Sequence, residues 1–416
     1  MRIGLFTDTY PPFINGVSTS VQMLKTALEK KGHTVYLVTV NDSSIKFDYN
    51  EEEHILKIAA IPIGLYDYRL SRIYPVTMIN LIKSWNLDII HSHTELGIGI
   101  FARIFAKQFN IPLVHTYHTM YKDYTHYVTH GYFDKSSKKI VEYLTKFFCD
   151  TTAKELIVPT TKTYKLLKDS YKLEKNIHII PTGIEVDRFF SENVDKKAES
   201  SLKKSLNITK KDTVIIFVGR LAQEKNIEFL IKNHKKIIRN KPNIKLMIVG
   251  DGPDREKLEN YANELGIEDN VIFTGKVAWE DIPYYYHVSD IFATASTSET
   301  QGLTVVEAMA ANLPAVCIDD EAFQGTIVDQ LNGFIFKDEK EYCDLILKLN
   351  KSVKEREKIG NQGRIQAQHL SSSQYAENVL VVYNIAIKNK NKYRYGIFSK
   401  AIDKIKEIKN DSSTKQ

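Results

Sequence analysis

Short apolar runs alternate with longer amphipathic stretches along the chain, and this alternation predicts strands that are followed by helices. In the first half the apolar runs are IGLFT (3–7), TVYLVTV (34–40), LDIIHSH (87–93), IPLVHTYH (111–118), ELIVPT (155–160) and IHII (177–180). Stretches between them, such as 17–31, have the spacing of helices. Continuous apolar strands separated by helices are typical of parallel βαβ units.

A polar and charged stretch, 191–210, separates this series from a second one. The second series contains TVIIFVGR (213–220), IKLMIVGDG (244–252), NVIFTG (270–275), DIFATAS (290–296), LPAVCID (313–319) and GFIF (333–336). Two such series predict an α/β protein with two doubly wound domains that face each other across a cleft. We assign 1–190 to the first domain and 195–365 to the second, expect helices in 366–390 to complete the first domain, and interpret 391–416 as a basic tail.

The composition is that of an ordinary globular protein, with 43% hydrophobic and 26% charged residues. No apolar run is long enough to span a bilayer, and we expect no secretory signal, because Met1-Arg2 leads straight into the first strand. Cys149, Cys317 and Cys343 share no motif spacing, so we interpret them as reduced thiols of a cytosolic protein. The net charge of +6 favours anionic partners such as phosphates or phospholipid headgroups, and we expect no nucleic-acid partner.

Ligands of doubly wound sheets bind beyond the carboxyl ends of the strands, so the loops at those ends are the candidate sites. In the loop TDTYPPFINGVSTSV, Asn15 and Gly16 precede a helix whose free amides can face a phosphate, although a plain tight turn is the alternative. The loop VGRLAQEKN (218–226) carries Arg220 and Lys225, which can neutralise a diphosphate unless they are simply solvated charges.

The turn VGDGPDREKLE (249–259) places Gly250 at another strand end. It does not have the spacing of the GxGxxG dinucleotide motif, which disfavours a dehydrogenase. The stretch STSETQGLTVVEAMAANLP (296–314) contains two glutamates, with Glu299 on a loop and Glu307 inside the following helix. Carboxylates accept hydrogen bonds from sugar and ribose hydroxyls. The alternatives are helix capping for Glu299 and a surface charge for Glu307.

Taken together, these motifs resemble the retaining glycosyltransferases of family 4, which have the GT-B fold of two Rossmann-like domains. The E-x7-E pair, the GR-x4-K loop, the GDGP turn, the PTGIEVDRF segment and the NGF turn at 332–334 occur in the family's order. The resemblance extends to about residue 385. One departure is Asn15-Gly16, where the family commonly has two glycines.

The resemblance implies a role for each matching residue. Arg220 and Lys225 would bind the diphosphate of a nucleotide-sugar donor, and Glu307 would accept hydrogen bonds from its ribose. Glu299 and His118 would contact the transferred sugar as the catalytic residues. Further donor-binding positions would be Gly16, Gly250, Val277, Gly302 and Leu303.

The implied reaction proceeds with retention, through an oxocarbenium-like transition state, and requires no cofactor. Mg²⁺ at Asp319-Asp320-Glu321, or a metal among His91, His93, His115 and His118, remains an alternative. We do not expect a catalytic metal, because Arg220 and Lys225 already supply positive charge.

The acceptor is suggested by the Tyr- and His-rich segment HTYHTMYKDYTHYVTHGYF (115–133), which includes Tyr121 and Tyr124. With FTDTYPPFINGVSTSV and DDEAFQGTIVDQLNGFIF, it resembles the diacylglycerol α-glucosyltransferase branch of the family. That branch implies glucose transfer from UDP-glucose to the 3-hydroxyl of 1,2-diacylglycerol, at the cytoplasmic face of the membrane.

A lipid acceptor calls for a surface that can contact an anionic phospholipid membrane. The segment YDYRLSRIYPVTMINLIKSWN (66–86) is a candidate, through Arg69, Arg72 and Trp85. The alternative is that its apolar side packs on the sheet. Lys135, Lys138, Lys139 and the basic tail are further candidates.

The sequence is also compatible with other functions and mechanisms. The acceptor could be a cell-wall or capsular saccharide, the donor sugar could be galactose, and a covalent intermediate could form. Outside the transferases, a nucleotide-sugar epimerase and an inactive binding protein are the alternatives.

Overall fold

The computed structural model describes residues 1–13, 15–41, 47–62, 69–71, 76–118, 142, 145–146, 148–149 and 153–390. These residues form two α/β units, each built on its own sheet. The two doubly wound domains that the hydrophobic pattern predicts are therefore confirmed. Several predictions concern residues outside this part of the chain, namely Arg72, Tyr121, Tyr124, Lys135, Lys138, Lys139 and the tail 391–416.

The first sheet has nine strands among the described residues and is mostly parallel. The strands are β1 (Arg2–Phe6), β2 (Thr34–Asn41), β3 (Phe47–Asn50), β4 (Ile55–Pro62), β5 (Arg69–Ser71), β6 (Ile89–Ser92), β7 (Leu113–Thr116), β8 (Glu155–Val158) and β9 (Ile177–Ile179). Their order is β3-β4-β2-β1-β6-β7-β8-β9, and β5 pairs with β4. The chain therefore reverses its direction of progress between β1 and β6, which is where ligands bind in such sheets.

The second sheet has six strands among the described residues, and every pairing is parallel. The strands are β10 (Thr213–Val218), β11 (Ile244–Val249), β12 (Val271–Gly275), β13 (Ile291–Thr294), β14 (Ala315–Ile318) and β15 (Phe334–Phe336). Their order is β12-β11-β10-β13-β14-β15, so the reversal falls between β10 and β13.

Helices cover both faces of each sheet, as the continuous apolar strands require. They are α1 (Gly16–Lys30), α2 (Ile79–Ser84), α3 (Ile98–Phe109), α4 (Thr161–Lys165), α5 (Lys196–Ser205), α6 (Ile227–Ile238), α7 (Arg255–Glu264), α8 (Ile282–His287), α9 (Leu303–Ala310), α10 (Glu339–Lys351), α11 (Val353–Gln368) and α12 (372–390).

The last helix, α12, packs on the first sheet although it follows the second domain in the sequence. Its Tyr375, Val379 and Val382 are buried in one cluster with Leu5 of β1 and Val35 of β2. The spacing of four and three residues places these side chains on one face of the helix. The first sheet thus obtains part of its cover from the C-terminal end of the described chain.

The chain passes from the first domain to the second before the predicted boundary at residue 190. Ile184, Val186, Phe189 and Phe190 are buried in a cluster that belongs to the second sheet. The segment 184–190 therefore already belongs to the second core, because its apolar residues are buried there rather than against the first sheet.

Two regular regions escaped the sequence analysis. Helix α5 lies inside the stretch interpreted as a linker, and its Leu202 packs against the second core. The strands β3, β4 and β5 form an antiparallel extension at one edge of the first sheet. The polar composition of α5, KKAESSLKKS, concealed the helix, whereas β4, ILKIAAIP, is an apolar run that the sequence analysis did not assign.

Candidate active site

The cations and the first glutamate of the predicted donor site meet at the reversal point of the second sheet. Arg220 and Lys225 lie on the loop after β10, and Glu299 lies on the loop after the neighbouring strand β13. Lys225 Nζ donates to Glu299 Oε1 at 2.6 Å, and both side chains are mostly buried. The sheet topology therefore brings together an ammonium and a carboxylate that are 74 residues apart.

The Glu299 carboxyl is held in its ionised form. Burial alone would raise its pKa, but the Lys225 ammonium, a hydrogen bond from Ser296 and the charge of Lys162 together lower it. An ionised carboxylate accepts hydrogen bonds at both oxygens, which suits the hydroxyls of a sugar. Arg220 donates to the Glu224 carboxylate on the same loop, so its guanidinium is held at the edge of the site with its side chain about one third exposed.

Glu307 lies in α9 and has a different environment. Its Oε2 accepts a hydrogen bond of 2.8 Å from the Tyr286 hydroxyl of α8. Burial raises the pKa of the Glu307 carboxyl to about 7, although this hydrogen bond and the charge of Arg188 oppose the rise. Arg188 in turn stacks on Trp279, with its Cζ atom 3.1 Å from the ring centroid. The pKa values of the two glutamates of one motif are thus shifted in opposite directions, downward for Glu299 and upward for Glu307.

The backbone at the ends of the neighbouring strands is packed closely. Gly250 N donates to Gly275 O at 3.1 Å, which joins the turn after β11 to the end of β12. A Cβ atom on Gly250 would lie 1.9 Å from Gly219 O, and the φ of Gly250 is +138°, so only glycine fits. Val277 follows on the same edge and packs partly against the second core.

The loop after β13 leads into α9 through Gly302, whose φ is +76°. Leu303 is the first residue of α9, so its amide lies at the helix N-terminus. In the first domain, Gly16 begins α1 and is exposed, and a Cβ atom there would meet nothing within 4 Å. Asn15 caps this helix by accepting from Ser18 N at 2.9 Å, which accounts for the asparagine at this position.

His118 follows β7 and belongs to a row of histidines. Its Nε2 lies 3.0 Å from Nδ1 of His93, whose ring is stacked nearly parallel to it. Burial and the charge of His115 lower the pKa of His118 to about 3, so the ring is neutral near pH 7. Behind His93, the ring of His91 hydrogen-bonds to Tyr383 of α12 at 2.7 Å.

A carboxylate that the sequence analysis overlooked lies at the reversal point of the first sheet. Asp8 accepts hydrogen bonds from Thr94 Oγ1 at 2.5 Å and from Ile98 N at 2.8 Å. Burial raises the pKa of its carboxyl to about 7. Its position directly after β1 was the available signal. Arg188 and Tyr286 were also overlooked, and no local pattern marks them as neighbours of Glu307.

The structure overturns the assignment of Trp85 to a membrane-contacting surface. Trp85 is only 4% exposed and stacks on Tyr36 of β2 at a centroid distance of 4.7 Å. The helix that precedes it packs on the sheet, which was the alternative stated for this segment. Of the proposed arginines, Arg69 lies in β5 at the sheet edge, while Arg72 is outside the described residues.

The acidic run that could have held Mg²⁺ is occupied by lysines of the first domain. Lys162 Nζ lies 2.7 Å from Asp320 Oδ1, and Lys165 Nζ lies 3.0 Å from Glu321 Oε1. Within the described ranges, no group of three His, Cys, Asp or Glu side chains has the geometry to hold a metal ion. In the same part of the chain, no helix has the length and apolar character that crossing a membrane requires.

Comparison with known proteins adds to this geometry. Residues 14–188 match the family described as Glycosyltransferase Family 4, and residues 199–366 match Glycosyl transferases group 1. Two relatives are both called alpha-monoglucosyldiacylglycerol synthase. The Streptococcus pneumoniae protein is 35% identical over 83% of this chain and 78% of its own length. The Acholeplasma laidlawii protein is 32% identical over 94% of this chain and 99% of its own length.

Solved structures share the architecture at lower identity. The crystal structure of HepE from Anabaena in complex with UDP-glucose has a TM-score of 0.70 and 18% identity, and the match covers 92% of this chain and 99% of that chain. At this identity the likeness establishes a common fold of two facing domains.

Proposed function

Because this chain belongs to the family 4 glycosyltransferases of the GT-B fold, we propose that it transfers glucose from UDP-glucose to the 3-hydroxyl of 1,2-diacylglycerol, with retention. The observation that carries the proposal is the pair of Lys225 and Glu299 at the reversal point of the second sheet. It supplies a cation for a leaving phosphate and a carboxylate for a sugar in one place.

The donor half of the proposal assigns one group to each part of UDP-glucose. Arg220 and Lys225 bind the diphosphate, and their present carboxylate partners hold them in place until it arrives. Glu299 accepts hydrogen bonds from the glucose hydroxyls, and Glu307 accepts them from the ribose. The HepE structure, whose complex contains UDP-glucose, supports this choice of donor.

The chemistry follows from these positions. As the bond between glucose and diphosphate breaks, negative charge develops on the leaving oxygen and is stabilised by Arg220 and Lys225. That oxygen can accept the proton of the attacking hydroxyl on the same face of the sugar, which gives retention. Neutral His118 contributes a hydrogen bond to the sugar without adding a charge beside the cationic transition state.

The acceptor half rests on the two named relatives, both of which are monoglucosyldiacylglycerol synthases by name. A diacylglycerol stays in the bilayer, so the enzyme has to bind the membrane surface from one side. The net charge of +6 favours an anionic surface. We therefore place the enzyme at the cytoplasmic face of the membrane, bound peripherally.

The test is an assay with purified protein, radiolabelled UDP-glucose and vesicles that contain 1,2-diacylglycerol. The expected result is a chloroform-extractable labelled product, whose NMR spectrum shows an α-linked glucose at the 3-position. UDP-galactose in parallel identifies the sugar. Labelled product with a saccharide acceptor but none with diacylglycerol would overturn the lipid assignment, and a β-linked product would overturn retention.

Membrane binding has its own measurement. Activity should rise when phosphatidylglycerol is added to neutral vesicles and fall as salt is raised, because screening weakens attraction between the basic protein and the surface. Activity that is indifferent to both would contradict binding to an anionic membrane.

A further inference from the structure

The loop that carries Glu299 is held from the first domain as well as from the second. Thr160 Oγ1 donates to Thr300 O at 2.7 Å, and Lys162 Nζ donates to Thr297 O at 2.8 Å. The backbone N of Thr182 donates to the Gln301 side chain at 2.7 Å, and that side chain donates back to Thr182 O at 2.9 Å. All of these contacts fall within 297–301, on either side of Glu299.

Lys162 is the charged member of this set, and each of its three ammonium protons has an acceptor. Besides Thr297 O, its Nζ lies 2.7 Å and 2.9 Å from the two carboxylate oxygens of Asp320. The side chains of Lys162 and Asp320 are 16% and 12% exposed. A pair with so little solvent contact is screened less than a surface ion pair, and it has a fixed geometry.

Lys162 therefore connects three segments of the chain, which are helix α4 of the first domain, the loop of Glu299 and the turn after β14. We propose that Lys162 is a positioning residue of the sugar-transfer site, which sets the Glu299 loop in its working geometry when the two domains meet. The donor site of the second domain is then completed by the first domain. This inference rests on the role of Glu299 in the proposed function.

The alternative role for Lys162 is only to hold the two domains together. A variant of Lys165 distinguishes the two roles, because Lys165 lies one turn further along the same helix. It also crosses to the second domain, where its Nζ lies 3.0 Å from Glu321 Oε1, outside 297–301. Its pair is about half exposed. Lys165→Met thus removes a cross-domain cation without touching the Glu299 loop.

The test compares Lys162→Met, Lys162→Arg and Lys165→Met in the full-length chain. Lys162→Met should lower kcat by about tenfold or more, the loss expected from one charge-assisted hydrogen bond, while the KM for UDP-glucose stays within about twofold. Lys162→Arg should restore most of kcat, and Lys165→Met should resemble the wild type. Equal losses in Lys162→Met and Lys165→Met would overturn the inference.

The pH profile supplies a readout that simple domain holding would not move. Lys162 is one of the charges that oppose the effect of burial and lower the pKa of Glu299. Without it, Glu299 becomes protonated at a higher pH, so the acid limb of kcat should move to higher pH in Lys162→Met. An acid limb that coincides with that of the wild type would overturn the inference.

Hydrogen exchange of the protein without substrate gives a measurement that is independent of the reaction. Peptides that cover 297–302 should exchange faster in Lys162→Met than in Lys165→Met or the wild type. Unchanged exchange would overturn the inference even if the enzyme is active. If the wild type makes no glycolipid, the proposed acceptor fails, while the exchange result still decides whether Lys162 holds the loop.

Discussion

Replacing Glu307 by Gln should change the pH dependence of stability in a defined direction. Glu307 accepts a hydrogen bond from Tyr286, and burial raises the pKa of its carboxyl from the ordinary 4.5 to about 7. The folded protein therefore binds this proton more tightly than the unfolded chain does. The associated stability is complete below pH 4.5 and is lost as the pH rises through 7.

The size of the expected change in stability follows from this rise in the pKa of Glu307. Gln is always neutral, and its amide oxygen can still accept the hydrogen bond from Tyr286. The free energy of unfolding of Glu307→Gln, relative to the wild type, should therefore increase by about 2.5 kcal/mol between pH 5 and pH 8. Other groups that titrate in this range, such as Asp8, are present in both proteins and cancel in the difference.

Glu299→Gln is the matched comparison, because the two glutamates belong to the same motif. The pKa of Glu299 is lowered, since the Lys225 and Lys162 charges and a Ser296 hydrogen bond outweigh burial. Its stabilising contribution is present above the unfolded pKa and is lost as the pH falls through the lowered value. Glu299→Gln should therefore be less stable than the wild type at pH 7, with a difference that shrinks at acid pH.

The assay is urea unfolding of the three proteins at pH 5, 6, 7 and 8, at constant ionic strength. At pH 8 the two variants should differ from the wild type in opposite directions. The free energy of unfolding should be higher for Glu307→Gln and lower for Glu299→Gln. A Glu307→Gln difference that is flat across this range would refute the argument, because it would mean that Glu307 does not titrate there.

Three further predictions concern the site and the corrected surface. Lys225→Ala should weaken UDP affinity in a calorimetric titration, because the diphosphate loses a cation, and an unchanged dissociation constant would exclude Lys225 from the donor site. Glu299→Ala should lower turnover far more than UDP affinity, whereas turnover like that of the wild type would remove Glu299 from the reaction. Trp85→Ala should lower the free energy of unfolding by about 3–5 kcal/mol in urea, while cosedimentation of the folded variant with vesicles stays unchanged. Loss of vesicle binding with unchanged stability would instead return Trp85 to the membrane surface.

The sequence was sufficient to place Lys225 and Glu299 together, because parallel strands end at one edge of a sheet and both residues lie on loops that follow strands. The same reasoning could have reached Asp8. It could not reach the pairs of Lys162 with Asp320 or of Tyr286 with Glu307, since these depend on how helices and domains pack in three dimensions.

Trp85 and the domain boundary at residue 190 show a second limit of prediction from the sequence: the pattern does not identify the surface that buries an apolar segment. An amphipathic segment with Arg69 and Trp85 has the same composition whether its apolar side faces a membrane or a sheet. The segment 184–190 is apolar enough to join either core. In both cases the available partner, and not the local pattern, decided where the side chains are buried.

The return of α12 to the first sheet affects how the protein is made. Residues of β1 and β2 leave the ribosome early, but α12, which covers one face of their sheet together with α1, is synthesised only after the entire second domain. Leu5 and Val35 therefore remain without Tyr375, Val379 and Val382 during most of translation. The second domain can fold before the first domain is complete, so the order of folding need not follow the order of synthesis. A chain cut before α12 would expose the apolar part of the sheet that this helix covers.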